Sequence, residues 1–175
     1  MSWRLITYRL PSEPSRHRVA IWRELRRLGA VSLQQGTWAV PSGEPFDAGL
    51  AQVTSAITAA GGQPVVLEVA DDEKSVSQLR ALFTADREAE WAEFVSDCGK
   101  YEAELAEEVA KGKLTLAELD EEEQSLDRLR RWYRAIRGRD LFAAPSAAAA
   151  EQRLKECTEA LEDFAGLVYR AREGP

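Results

Sequence analysis

Arginine is the residue type that most invites a chemical reading of this chain. Arg16, Arg18, Arg23, Arg26 and Arg27 crowd one short stretch, and Arg128, Arg130, Arg131, Arg134, Arg137 and Arg139 crowd another. A guanidinium is a planar fork of N–H donors that grips phosphates, carboxylates and other oxyanions through paired hydrogen bonds. Three uses of the clusters stay open. Asp127 precedes Arg130 and Arg131 by one helical turn, so intrahelical ion pairs and cations near a helix C-terminus account for part of the second cluster. The arginines could also bridge to acidic helices elsewhere in the chain, or form a true anion site.

Other chemistries find less support. His17 is the single histidine, which excludes most histidine-based metal sites and any Glu-x-x-His pair. Cys98 and Cys157 are too few and too far apart in the chain for a disulfide framework or a thiolate metal site, and both fall on apolar stripes, which predicts packing rather than a redox pair. The acidic run of Glu118 and Asp120 to Glu123 reads as a solvated helix face. No phosphate-cradling or dinucleotide glycine pattern occurs. Trp3, Tyr8 and Trp38 could lie on a sheet as base-stacking rings, but QGTWAVPS lacks the basic-Gly-aromatic pattern of RNA-recognition modules, so core packing is expected of them. Neither an enzyme nor a cofactor is expected.

The elements that must position these residues fall into two parts. Residues 1–70 hold 7 basic and 5 acidic side chains, whereas 71–175 hold 16 and 25, so the net charge of −7 divides as +2 and −9. In the first part, Trp3 to Leu10 reads as a strand closed by prolines. A helix follows, with Ser15 as its N-cap, Val19, Trp22, Leu25 and Leu28 as its apolar face, and Gly29 as its stop. Val31, Leu33, Trp38 and Val40 alternate about a Gln35-Gly36 turn as a hairpin. Phe46, Leu50, Val53 and Ile57 recur at helical spacing, and Val65, Leu67 and Val69 share a strand face. The order βαββαβ predicts an α+β unit with a ferredoxin-like arrangement over 1–70. Over 71–175 three amphipathic helices predict an antiparallel three-helix bundle packed against it: one carrying Leu79, Phe83, Trp91, Phe94 and Cys98, one from Leu116 to Arg137 stopped by Gly138, and one after Pro145-Ser146. No apolar run approaches the roughly 18 residues of a membrane span, and the first residues lack a basic leader and a cleavage site. A cytoplasmic protein is expected, with no membrane partner.

The stretch PSEPSRHRVAIWRELRRLGAVSLQQGTWAVP, residues 11–41, resembles the N-terminal domain of ChrB-type chromate-resistance proteins. The Phe83-x-x-x-Arg87 segment leading to Trp91, the Leu129-x-x-Trp132-x-x-Ile136 stripe and Arg139-Asp140-x-Phe142 fit the same pattern. More distantly, the first block is similar to the middle domain of PaaX-type repressors. The resemblance implies a chromate-responsive, non-enzymatic regulator of a chromate-resistance operon. The alternative is a protein-interaction module acting through a separate DNA-binding or sensor partner. Full-length ChrB proteins carry a further C-terminal domain and PaaX-type proteins an N-terminal winged helix, and neither is in this sequence. With the basic character of the first helix, the resemblance makes Arg16, Arg18 and Arg23 candidates for binding operator DNA or an anion. Arg137 and Arg139 join them as candidates for chromate or sulfate. A homodimer or another regulator completes the expected partners. For Arg139 a structural role is also open, pairing with Glu90 or with Asp140.

Overall fold

A computed structural model describes residues 2–173. The chain divides into two compact units, 1–86 and 87–175. In the first, strands β1 (Trp3–Arg9), β2 (Val31–Gln34), β3 (Thr37–Pro41) and β4 (Gln63–Glu68) form one antiparallel sheet in the order β2-β3-β1-β4. Helix α1 (Ser15–Leu28) joins β1 to β2, and α2 (Phe46–Ala59) joins β3 to β4. This is the ferredoxin-like order that the alternation of short apolar runs and helical stripes predicts.

Register explains which residues are covered. Ile6 stands opposite Trp38 and Val66, and Arg4 opposite Val40, so these side chains share a face with Tyr8. Arg4 reaches Asp47 on α2 at 2.9 Å, and Tyr8 lines a cleft together with Arg18 and Trp22 of α1, so both helices lie over this face, with Ile6, Trp38 and Val40 buried beneath them. Phe46, Leu50, Val53 and Ile57 of α2 are all buried, as their spacing predicts. Helix α1 differs from expectation: Ile21 and Leu25 are buried, while Val19 and Trp22 are exposed. Its N-cap position is Pro14 with no side-chain cap bond, so Ser15 is the first helical residue and not the cap. Gly29 does end the helix in the left-handed conformation. At Gly49 a Cβ would come within 2.2 Å of Leu28, so the small residue permits the close approach of α2 to α1.

Helix α3 (Glu73–Ala110) is continuous for 38 residues, and the division at Asp86 falls inside it. Its first turns belong to the first unit because Phe83 packs edge-on against Trp3 and Phe46, at 5.8 and 6.1 Å between ring centres. Asp72 caps it by accepting from the Ser75 amide. In the second unit the remainder of α3 packs with α4 (Leu116–Arg139) and α5 (Ala147–Glu173). Contacts from Trp91 to Asp140 and from Tyr101 to Glu122 run α4 antiparallel to α3, and those from Glu88 to Ser146 and Glu102 to Arg153 return α5 parallel to α3. Trp91, Phe94, Leu126, Ile136, Phe164 and Val168 anchor its core. Thr115 caps α4 by accepting from the Glu118 amide. Gly138 does not stop α4: the helix runs on to Arg139, whose side chain donates back to the Ala135 carbonyl. Among the described residues no helix is long and apolar enough to cross a membrane.

Candidate functional site

The first helix divides its arginines between two sides. At 100° per residue, Arg16 and Arg23 lie about 20° apart around the axis, while Arg18 stands roughly 150° away beside Trp22. All three are exposed, and none meets a carboxylate among the described residues; Glu24, on the same helix, is taken by Arg27 at 2.6 Å. The three candidates of α1 therefore do not form one cluster.

Arg18 instead faces a cleft of about 580 Å³ over the end of the sheet. Tyr8 and Arg9 from the end of β1, Trp22 from α1, Gln34 and Gln35 from the hairpin, and Trp38 from β3 complete its wall. The hairpin turn makes this close assembly possible: Gly36 has φ 76°, its carbonyl accepts from the Tyr8 amide at 2.9 Å, and a Cβ there would meet the Tyr8 carbonyl oxygen. Burial pushes the Tyr8 phenol above its usual range, against the opposing effect of a hydrogen bond donated by the Trp38 indole. Tyr8 is thus a neutral hydroxyl, oriented by Trp38, with its own proton left to donate. Trp22 offers a ring 51% exposed at the rim. The cleft presents two guanidinium groups, a phenol and two amides as donors beside indole surface, a composition suited to an anion.

The second arginine cluster has a different fate. Both oxygens of Glu90 accept from Arg139, Nε to Oε2 at 3.2 Å and Nη2 to Oε1 at 3.0 Å, and Nη1 is spent on the Ala135 carbonyl. The buried Arg87 also meets Glu90 at 3.0 Å. Arg139 is fixed by Glu90, one of the two carboxylates expected; Asp140 turns to the Trp91 indole and the Ala144 amide. Arg137 is exposed on α4, and Arg130 pairs with Asp127 at 3.3 Å.

Two features depart from what the sequence leads one to expect. Glu122 is 3% exposed and its Oε2 has no hydrogen-bond partner, so the acidic run is not wholly a solvated face, although Asp120, Glu121 and Glu123 are exposed. Burial, followed by the charges of Glu104, Glu121, Glu108 and Glu118, pushes the Glu122 carboxyl up to about 7. The signal was available, since Leu119 and Leu126 flank Glu122 on the same buried stripe. Cys98 and Cys157, far apart in sequence, are neighbours in space, with Cys157 Sγ 3.6 Å from the Cys98 carbonyl oxygen.

A ferredoxin-like α+β unit with an arginine-rich first helix, followed by a helical bundle, is the class of protein that these features define. The chain belongs to the family described as Protein ChrB, N-terminal, whose model matches residues 18–175. It is similar to Protein ChrB of Cupriavidus metallidurans, with 29% identity over 164 residues that cover 92% of this chain and 47% of that protein. The chain thus spans about half the length of this curated relative.

Proposed function

We propose that the chain acts in chromate resistance as a non-enzymatic regulatory protein of the operon, responsive to chromate. Membership of the ChrB N-terminal family over residues 18–175 is the observation that carries this reading. The geometry supports a division of labour on α1. Arg16 and Arg23, on the outward side, suit the phosphates of operator DNA, while Arg18 and Arg9 in the cleft suit a doubly charged oxyanion such as chromate or sulfate. Arg139 takes no part in that site, because its guanidinium is occupied by Glu90 and Ala135.

The test is fluorescence anisotropy with labelled duplex from upstream of the chain's own gene at rising salt, paired with calorimetric titration of chromate and sulfate. Arg16→Ala with Arg23→Ala should weaken DNA binding and flatten its salt dependence while sparing the anion heat; Arg18→Ala should do the reverse. Absence of both DNA and anion binding at low salt overturns the proposal.

A second reading has an observation of its own. β4 is an edge strand, and Val65, Val66 and Leu67 are all exposed on it, an arrangement that invites strand pairing. On this reading the chain is an interaction module that pairs with itself or with another regulator and acts through a separate DNA-binding or sensor partner. A chain that sediments as a monomer and still binds DNA by itself removes this alternative.

A further inference from the structure

We propose that Cys98 and Cys157 form an oxidisable dithiol, which a two-electron oxidant of the peroxide class closes into a disulfide joining α3 to α5. These are the chain's only cysteines. Packing alone would account for two buried thiols on apolar stripes, since cysteine behaves as a small hydrophobe. Packing does not account for their pairing. Helices α3 and α5 set them side by side, 59 residues apart in sequence, with the Cys157 thiol donating to the Cys98 carbonyl oxygen at 3.6 Å. Both are free and buried.

The surroundings distinguish the two sulfurs. Glu102 lies one turn beyond Cys98 on α3, and Arg153 one turn before Cys157 on α5. These residues pair with each other, and Glu102 Oε1 is 3.9 Å from Cys157 Sγ. The sulfurs therefore lie within one helical turn of a partly exposed ion pair. The Cys157 thiol directs its proton to the Cys98 carbonyl oxygen and lies beside the Glu102 carboxylate, which disfavours a thiolate there, whereas the charge of Arg153 favours one at Cys98. Cys98 is accordingly the attacking sulfur and Cys157 the resolving one.

The steps balance. The Cys98 thiolate attacks one oxygen of hydrogen peroxide, the O–O bond breaks, and the departing hydroxide takes up the proton that Cys98 had lost, leaving a sulfenic acid and one water. Cys157 sulfur then attacks the Cys98 sulfur; the S–S bond forms, the S–O bond breaks, and the hydroxide leaves as water with the Cys157 proton. Two thiols and one peroxide give one disulfide and two waters, with two electrons passing from sulfur to oxygen.

The experiment treats the full reduced chain with hydrogen peroxide, blocks residual thiols under denaturing conditions, and measures intact mass and tryptic peptides without reductant. Closure removes two hydrogen atoms, a mass loss of about 2 Da, and yields a peptide bridged between Cys98 and Cys157. In Cys157→Ser the sulfenic acid at Cys98 should persist and be trapped by dimedone, whereas Cys98→Ser should give little trapping at Cys157. The measurement on the unsubstituted chain stands even if a serine variant fails to fold. Two blocked thiols after peroxide, or sulfinic acid at one cysteine with no bridged peptide, overturns the proposal.

Discussion

Helix α1 and the helical bundle use the same side chain to opposite ends. On α1, Arg16, Arg18, Arg23 and Arg26 extend into solvent, and the helix's one carboxylate, Glu24, is spent on Arg27. In the bundle, Arg87 and Arg139 share Glu90, and Arg153 is held between Glu102 and Glu156. Charge balance fits the contrast: residues 1–70 carry +2 and 71–175 carry −9, so Arg87, Arg139 and Arg153 have carboxylates at hand, whereas α1 offers its five arginines one. Arginine density is therefore a poor guide to a binding site until the local supply of carboxylate is counted.

The sharpest way to break the comparison is at Glu90. Glu90→Ala leaves Arg87 and Arg139 without their shared carboxylate, and stripping one partner from a buried pair costs about 3–5 kcal/mol. Urea unfolding of the full chain should show that loss, and a cost below about 1 kcal/mol would mean that the cluster is ornamental to stability. Phe83→Ala tests the first unit on a similar scale. Removing the ring between Trp3 and Phe46 should cost about 3–5 kcal/mol. A near-neutral result would deny α3's first turns their place in that core.

Arg139→Gln should cost less, about 1.5–3 kcal/mol, because Arg87 still neutralises Glu90. Its loss of stability should be the same with or without chromate or sulfate. A variant of native stability that has lost its anion response would return Arg139 to the site.

Glu122 provides a pH test. Its carboxyl, near 4.5 when unfolded, is pushed up to about 7 in the fold, so between these values the folded chain holds a proton that the unfolded chain releases. This group's contribution is fully present below about 4.5 and is lost as pH rises through about 7. Glu122→Gln should flatten the fall in unfolding free energy over that window, followed by denaturation at a series of pH values; an unchanged slope would assign it elsewhere. The smallest effects belong to α1: Arg16→Ala, Arg18→Ala and Arg23→Ala should each change stability by no more than about 0.5 kcal/mol. A larger melting shift in any of them would reveal an internal partner and end the contrast.

Legibility followed the range over which each signal acts. The stripe Phe46, Leu50, Val53, Ile57 mixes steps of three and four and stays on one side of α2, so its burial was readable. Val19, Trp22, Leu25 and Leu28 advance only by threes, and each step falls about 60° short of a full turn. That series winds halfway round α1, whereas Ile21, Leu25 and Leu28 stay within about 60° and mark the covered side. Arg18 beside Trp22 is visible in the sequence as one helical turn. Arg9 and Gln34 reach the same cleft through strand pairing, which no local spacing records. Gly138 misled because helix propensity is a weak prior where Arg139 has tertiary partners. The meeting of Cys98 with Cys157 depends on the alignment of two helices, so sequence distance said nothing about it.

The Phe83 ring also sets a clock on synthesis. Every strand of the sheet is complete at Glu68, yet the aromatic side chain that closes over Trp3 and Phe46 comes 15 residues later. At about 5–20 residues per second, the ribosome leaves this core open for about 1–3 s. During that interval Trp3 and Phe46 lack the ring that covers them in the finished chain, and a nascent protein at this stage has a defined hydrophobic surface to offer a chaperone.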